Sequence, residues 1–143
     1  MYEKRIFISY ASEDLAQVVE IYDLLKEAGF EPWLDRENIL PGQKWMEAIE
    51  IAIRRADFFI FCVSTNSVRQ HSFIQRELKI ALELVNEKLA DNTYIIPVRL
   101  NNCEIPDGLQ EFQFVDLFKE NGEERLIGSL AILSTRRVPK AIQ

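Results

Sequence analysis

The amino-acid sequence predicts one α/β domain, a doubly wound parallel sheet with helices on both faces. Apolar runs of strand length alternate with amphipathic runs of helix length along the chain, which is typical of right-handed βαβ units. The run at 57–63 (DFFIFCV) is almost continuously apolar, as expected for a strand buried on both faces. The length of 143 residues fits a single ordinary domain.

The first half of the chain contains two predicted strands and two predicted helices. A strand at 6–10 precedes a helix that we expect Ser12 to cap and Gly29 to end. A second strand at 30–34 leads into a loop at 35–42, where Pro41-Gly42 forces a turn. Apolar residues at helical spacing then predict a helix from Trp45.

The second half continues the alternation. A polar stretch at 64–72 follows the third strand, and a long helix is predicted over 73–89. Pro97 in the next strand suggests an edge position or a bulge. The remaining predicted elements are strands at 94–100 and 113–117 and a helix at 123–133. We therefore expect a domain over 1–133, with 134–143 as a tail or a linker to a further domain.

Composition excludes several classes of function. The formal net charge is -6 and no basic run occurs, so the chain lacks the clustered cations of nucleic-acid-binding proteins. Cys62, Cys103 and the single histidine, His71, form neither a zinc pattern nor a disulfide framework. No signal peptide or apolar run of about 20 residues is visible. These features predict a cytoplasmic protein without a metal site or membrane contact.

Ligands of such sheets bind beyond the carboxyl ends of the strands, where strand order reverses. Three segments are expected there: 9–14, 35–45 and 64–77. Glu77 is the most informative residue, because its helical neighbours are apolar and a carboxylate in an apolar stripe must be paired or face a cavity. A structural alternative is an acid that pairs with a nearby arginine, for which Arg54, Arg55 and Arg69 are candidates.

The motifs together resemble a family. Phe7–Tyr10 at the end of strand one, the loop 34–45, and Ser64 to Glu77-Leu78 are similar to a bacterial Toll/interleukin-1 receptor (TIR) domain. The similarity extends over about residues 5–133. It implies a flavodoxin-like fold whose five parallel strands have the order 2-1-3-4-5.

The resemblance implies one of two activities. Many bacterial and plant TIR domains are hydrolases that cleave the nicotinamide–ribose bond of NAD+, releasing nicotinamide and ADP-ribose or a cyclic isomer. On this reading NAD+ is the substrate, no cofactor is needed, and TIR–TIR contacts form an active homo-oligomer in bacterial antiviral defence or signalling. A fused sensor or effector domain is a further expected partner. The alternative is a non-enzymatic TIR–TIR scaffold module.

The resemblance also assigns site residues. The family's catalytic glutamate corresponds to Glu77, and Phe73 stands where the family commonly has Trp, so that its ring would stack on the substrate. The loop 35–45 gates the site in the family. Arg36 and Lys44 either meet the pyrophosphate or belong to a solvated turn and bind nothing. Trp33 and Trp45 are also expected to pack as loop anchors. The complete predicted substrate-binding set is Phe73, Ser9, Tyr10, Ala11, Arg36, Leu40, Gly42, Lys44, Trp45 and Ser67.

Two other families of similar architecture do not fit. A phosphoacceptor receiver domain needs an aspartate at the end of strand three, where this chain has Val63-Ser64-Thr65. A flavodoxin would carry a phosphate loop rich in Ser, Thr and Gly after strand one, and the stretch 11–14 (ASED) is too acidic.

Overall fold

A computed structural model of the chain describes residues 4–69, 83 and 94–135. Five parallel strands form one sheet in the order β2-β1-β3-β4-β5. The strands are β1 (Arg5–Ser9), β2 (Glu31–Trp33), β3 (Phe58–Val63), β4 (Tyr94–Arg99) and β5 (Val115–Asp116). The predicted parallel sheet and its strand order are therefore confirmed.

The helices lie between the strands in the chain. They are α1 (Leu15–Glu27), α2 (Asp35–Asn38), α3 (Trp45–Arg55), α4 (Thr65–Arg69) and α5 (Gly122–Thr135), with 3-10 turns at Ser12–Asp14 and Asp107–Leu109. The predicted loop at 35–42 thus begins with one helical turn, and α4 begins inside the stretch predicted to be irregular. The helix predicted over 73–89 lies outside the described residues except for Glu83, which is helical.

Every residue of β3 is buried, because this strand is central and both faces of the sheet are covered. Phe58, Ile60 and Cys62 belong to the core on one face, which also includes residues of α1 and α5. Phe59 and Phe61 belong to the other core, together with residues of α3. Alternate side chains of a strand point to opposite faces, so one apolar run supplies both cores.

Gly29 ends α1 through its backbone conformation. Its φ is +96°, and the N–H of Phe30 donates to Leu25 O at 3.0 Å while the N–H of Gly29 donates to Lys26 O at 3.0 Å. This pair of hydrogen bonds is the Schellman motif, which favours glycine at the left-handed position. The chain can then turn directly into β2.

Two local predictions, for Ser12 and Trp45, are wrong. Ser12 does not cap α1: residues 12–14 form a separate 3-10 turn, so Asp14 precedes the helix, and the Ser12 hydroxyl bonds Glu13 instead. Pro97 does lie near an edge, as predicted: β4 is next to the edge strand β5, and the β4–β5 ladder begins only at the residue after Pro97. Trp45 does not pack as an anchor, because its side chain is 52% exposed, whereas Trp33 stacks on Phe7 with ring centroids 5.3 Å apart.

Candidate functional site

The order of the strands defines a crevice. β1 and β3 are neighbours, and their connections lead to opposite sides: β1 is followed by β2 on one flank and β3 by β4 on the other. The loops that leave the carboxyl ends of two such strands diverge, and ligands of open α/β sheets bind in the gap. Ser9, the last residue of β1, is in register with Phe61 of β3, so both loops start at the same edge of the sheet.

Asp14 joins these two loops. Its carboxylate accepts a very short hydrogen bond from the Ser64 hydroxyl and a second, of 2.8 Å, from the side-chain amide of Asn66. Asp14 is 5% exposed and Ser64 is fully buried. Among the described residues no cation forms an ion pair with this carboxylate. The loops after β1 and β3 therefore meet at a buried, hydrogen-bonded carboxyl group.

Ser64 and Ser67 order the start of α4. The Ser64 N–H donates to Ser67 Oγ at 2.8 Å, and the Ser67 N–H donates to Ser64 Oγ at 3.0 Å. The Ser67 hydroxyl in turn donates to Ser64 O at 2.9 Å. This reciprocal pairing satisfies backbone donors at a helix start, as in a capping box. The hydroxyl of Ser67, one of the predicted substrate-binding groups, is thus hydrogen-bonded to the backbone.

A second side-chain contact links β1 to the loop after β2. The Tyr10 hydroxyl donates to Asp35 Oδ1 at 2.6 Å, and Tyr10 is buried. Short O–H···O⁻ hydrogen bonds of this kind are about twice as strong as neutral ones. The contact holds the beginning of the loop 35–45 close to β1.

The remainder of that loop is open to solvent. Leu40 is 63% exposed, and Lys44 and Trp45 are also exposed. Gly42 has a φ of +92° with no atom near the position of an added Cβ, so the left-handed turn requires glycine for its backbone conformation rather than for space. The turn is closed by the Leu40 N–H, which donates to Gln43 Oε1 at 2.7 Å.

The structure places the predicted residues in three groups. Ser9, Tyr10, Ala11 and Ser67 are buried around the ends of β1 and β3. Leu40, Gly42, Lys44 and Trp45 lie on the exposed loop after β2. Phe73, Glu77 and the side chain of Arg36 lie outside the described residues, so their predicted roles stay predictions.

Sequence reasoning missed the role of Asp14, which was placed only within the segment 9–14. No local pattern signals its burial, because its partners are 50 and 52 residues away in the chain. The hydroxyl and amide groups of 64–67 were recognised, but not that they bind one another and Asp14.

An ion pair between the carboxyl ends of β4 and β5 was also missed. Arg99 Nε and Nη2 donate to the two carboxylate oxygens of Asp116 at 2.6 and 2.9 Å, and Nη1 donates to Cys103 O at 2.8 Å. The hydrogen bond from Arg99 lowers the pKa of Asp116, and the same bond raises the pKa of the guanidinium. The guanidinium carbon Cζ of Arg99 lies 5.0 Å from the ring centroid of Phe114 and 5.6 Å from that of Phe118. This pair ties β4 to β5.

Two features of the described residues bear on other functions. No group of three or more His, Cys, Asp or Glu side chains among them is arranged to hold a metal ion. In the same part of the chain, no helix has both the length and the apolar composition of a membrane span.

Comparison with known proteins agrees with this architecture. The chain is 29% identical over 118 residues to the uncharacterized protein y4cD of Sinorhizobium fredii, which covers 82% of this chain and 18% of that protein. The chain therefore spans less than a fifth of the length of this relative.

Two solved structures illustrate the similarity of fold. The TIR domain of the Toll-related receptor TRR-2 from Hydra magnipapillata has a TM-score of 0.75 at 22% identity, covering 92% of this chain and 98% of that one. A CMP N-glycosidase, BcmB, from Clostridium botulinum has a TM-score of 0.57 at 17% identity, covering 90% and 99%. At such identities the likeness concerns the fold.

The family assignment rests on a sequence model that extends over nearly the whole domain. The model of the TIR domain matches residues 6–130, a range that begins in β1 and ends in α5. It includes both loops of the crevice and the open loop after β2. The chain belongs to the TIR-domain family.

Proposed function

We propose that this chain is an NAD+ nucleosidase, which cleaves the nicotinamide–ribose bond and is activated by self-association. The observation that carries the proposal is the meeting of the β1 and β3 loops at the carboxyl end of the sheet, where a TIR-family chain presents buried hydroxyls and a carboxylate beside an open glycine-containing loop. The bond to be cleaved is an N-glycosidic bond. BcmB, which has a similar fold, is named as an N-glycosidase.

The chemistry requires little catalytic machinery. Cleavage develops positive charge on the ribose, which becomes oxocarbenium-like, and a carboxylate near that carbon stabilises the charge. Nicotinamide leaves as a neutral molecule from a cationic ring, so no general acid is needed. In this proposal Glu77 supplies the carboxylate and Phe73 stacks on the substrate. Capture of the cation by water gives ADP-ribose, and capture by a group of the substrate itself gives a cyclic isomer.

The test is release of nicotinamide from NAD+ by concentrated protein, with and without a crowding agent. Wild type, Glu77→Gln and Glu83→Ala are compared, because Glu83 is an exposed helical glutamate and serves as the matched control. We expect release by wild type and Glu83→Ala, and a loss of at least about a hundredfold in Glu77→Gln, in the range of a removed charge-stabilising group. Product chromatography separates hydrolysis from cyclisation.

Equal release by Glu77→Gln and wild type would reject Glu77 as the catalytic residue. Absence of release from folded, clustered wild-type protein would reject the enzymatic function itself. The non-enzymatic module would then be the better description.

The scaffold role has an observation of its own. Leu40, Trp45, Met46 and Ile51 are large apolar side chains that are each at least 46% exposed, and all lie within twelve residues of sequence. Apolar side chains concentrated in this way often mark protein interaction sites. We expect Trp45→Ser to lower self-association measured by sedimentation velocity, with Ile132→Ser as the control, because Ile132 is equally exposed but on α5. Unchanged association of Trp45→Ser would exclude this surface.

A further inference from the structure

The buried contacts around Asp14 form one unit, the Asp14 clasp, which consists of Asp14, Ser64, Asn66 and Ser67. It connects the loop after β1 to the first turn of α4 through three side chains. Because the two loops diverge from adjacent strands, nothing in the sheet ladder itself fixes the distance between them. The Asp14 clasp links the two loops where they leave the sheet.

The chemistry of the clasp requires an acceptor at position 14. The Ser64 hydroxyl has one hydrogen, which it donates to Asp14, and its oxygen accepts the N–H of Ser67. Both oxygens of a carboxylate are acceptors, so Ser64 and Asn66 are the donors in their hydrogen bonds to Asp14. The Asn66 amide uses the second carboxylate oxygen, which leaves both oxygens with a donor.

Asp14 and Asp116 are the two buried carboxylates among the described residues. Asp116 is paired with Arg99 and Lys119. Asp14 instead accepts hydrogen bonds from the Ser64 hydroxyl and the Asn66 amide, which both belong to the segment after β3. The contacts of Asp14 therefore fix one loop against the other.

We propose that Asp14 is a positioning residue for the reaction at the crevice. It holds the first turn of α4, which carries the predicted substrate-binding residue Ser67, against the start of α1. This inference rests on the proposed function. A displacement of about 1 Å in a reacting group can lower a rate by about a hundredfold, so a loose clasp reduces turnover without removing a substrate contact.

The experiment compares kcat and KM for nicotinamide release in wild type, Asp14→Ala, Asp14→Asn and Asp116→Asn. Asp14→Ala removes both acceptors, and we expect kcat to fall about tenfold to a hundredfold with KM within about threefold. Asp14→Asn can restore the clasp, because the oxygen of the new amide accepts from Ser64. The nitrogen of the new amide donates to Asn66 Oδ1 after the Asn66 side-chain amide rotates by about 180°. We expect Asp14→Asn to retain at least about a third of the wild-type kcat. Asp116→Asn breaks the Arg99 ion pair, which shares no hydrogen bond with the clasp, and should leave kcat unchanged.

Hydrogen exchange supplies a readout that does not depend on activity. The N–H groups of Ser64 and Ser67 are bonded within the clasp, so both should exchange faster in Asp14→Ala than in wild type and Asp14→Asn. Protection of β3 should stay unchanged, which shows that the domain is folded. If Asp14→Ala does not fold, Asn66→Ala, which removes one hydrogen bond, is measured in its place and should give a smaller fall in kcat.

The outcomes separate the two proposals. If the wild-type protein releases no nicotinamide, the proposed function is rejected, and the positioning role is rejected with it. Wild-type release together with an undiminished kcat in folded Asp14→Ala rejects the positioning role alone. A kcat in Asp14→Asn as low as in Asp14→Ala also rejects it, because the charge and not the geometry would then matter.

Discussion

Two glycines of α5 allow the same substitution to be compared in opposite surroundings. A Cβ added at Gly122 would lie 2.6 Å from Asp116 O, 2.7 Å from Leu117 O and 2.8 Å from Leu117 Cα. A Cβ added at Gly128 would have no atom within 4 Å. Gly122→Ala should therefore destabilise the domain, and Gly128→Ala should stabilise it.

The contacts at Gly122 cannot be relieved by a side-chain rotation, because all three atoms belong to the backbone. The Asp116 carbonyl accepts the N–H of Lys119 at 3.2 Å, and the Leu117 N–H donates to Arg99 O at 2.9 Å, so moving this segment disturbs its attachment to β4. Overpacking costs about 1–3 kcal/mol, partly offset by about 0.4–1 kcal/mol from reduced freedom of the unfolded chain. We expect a net loss of about 1.3 kcal/mol.

Gly128 lies inside a helix, where alanine is favoured over glycine by about 0.5–1 kcal/mol. The two variants should thus differ by about 2 kcal/mol, or about 7 °C in Tm for a domain of this size. Urea unfolding followed by circular dichroism at 222 nm measures both, with an unchanged m value as the sign that the denatured state is unaltered. Gly122→Ala as stable as wild type would refute the close approach of α5 to β5.

Three further predictions concern the core, an ion pair and the thiols. Ile53→Val should lower the free energy of unfolding by about 0.5–1.5 kcal/mol, because Ile53 is fully buried. The control Ile51→Val, at a side chain that is 46% exposed, should have almost no effect. Equal effects of the two variants in urea unfolding would show that Ile53 does not lie on the buried face of α3. Asp116→Asn should lower the free energy of unfolding at pH 7 by about 1.5–3 kcal/mol. Since the folded pKa of Asp116 is below its ordinary value, wild type loses this stability as the pH falls below about 4, and the two proteins should converge in acid; a difference that grows there would refute the assignment. Burial raises the pKa of the Cys62 thiol and, at a half-buried position, that of Cys103, so iodoacetamide at pH 8 should leave Cys62 unmodified in the native protein and label Cys103 slowly, as read by mass spectrometry. Native labelling of Cys62 at the rate of Cys103 would show that β3 is not covered on both faces.

Periodicity was sufficient for most of the fold. β3 was predicted within one residue because its apolar run has no polar interruption, and α3 begins at Trp45 as predicted. Errors occurred where a local signal has more than one structural use. Ser12 has the composition of a helix cap, but the intervening 3-10 turn moves the helix start to Leu15. The turn α2 was not expected, because DREN contains no apolar periodicity to indicate it.

The crevice was predicted in outline. Loops after neighbouring parallel strands must emerge at the same edge, so the segments 9–14 and 64–67 were correctly placed at one end of the sheet. Which groups meet there could not be predicted, because a hydrogen bond between side chains leaves no pattern in a single sequence.

Sequence alone determined the family, the order of the elements and the alternation of buried side chains, since all of these depend on spacing along the chain. Tertiary structure decided which polar groups are joined. Asp14 meets Ser64 across 50 residues, and Arg99 meets Asp116 across 17. Such pairs form only when the sheet brings distant strand ends together, because the register of the strands, and not local preference, sets which side chains come within hydrogen-bonding distance.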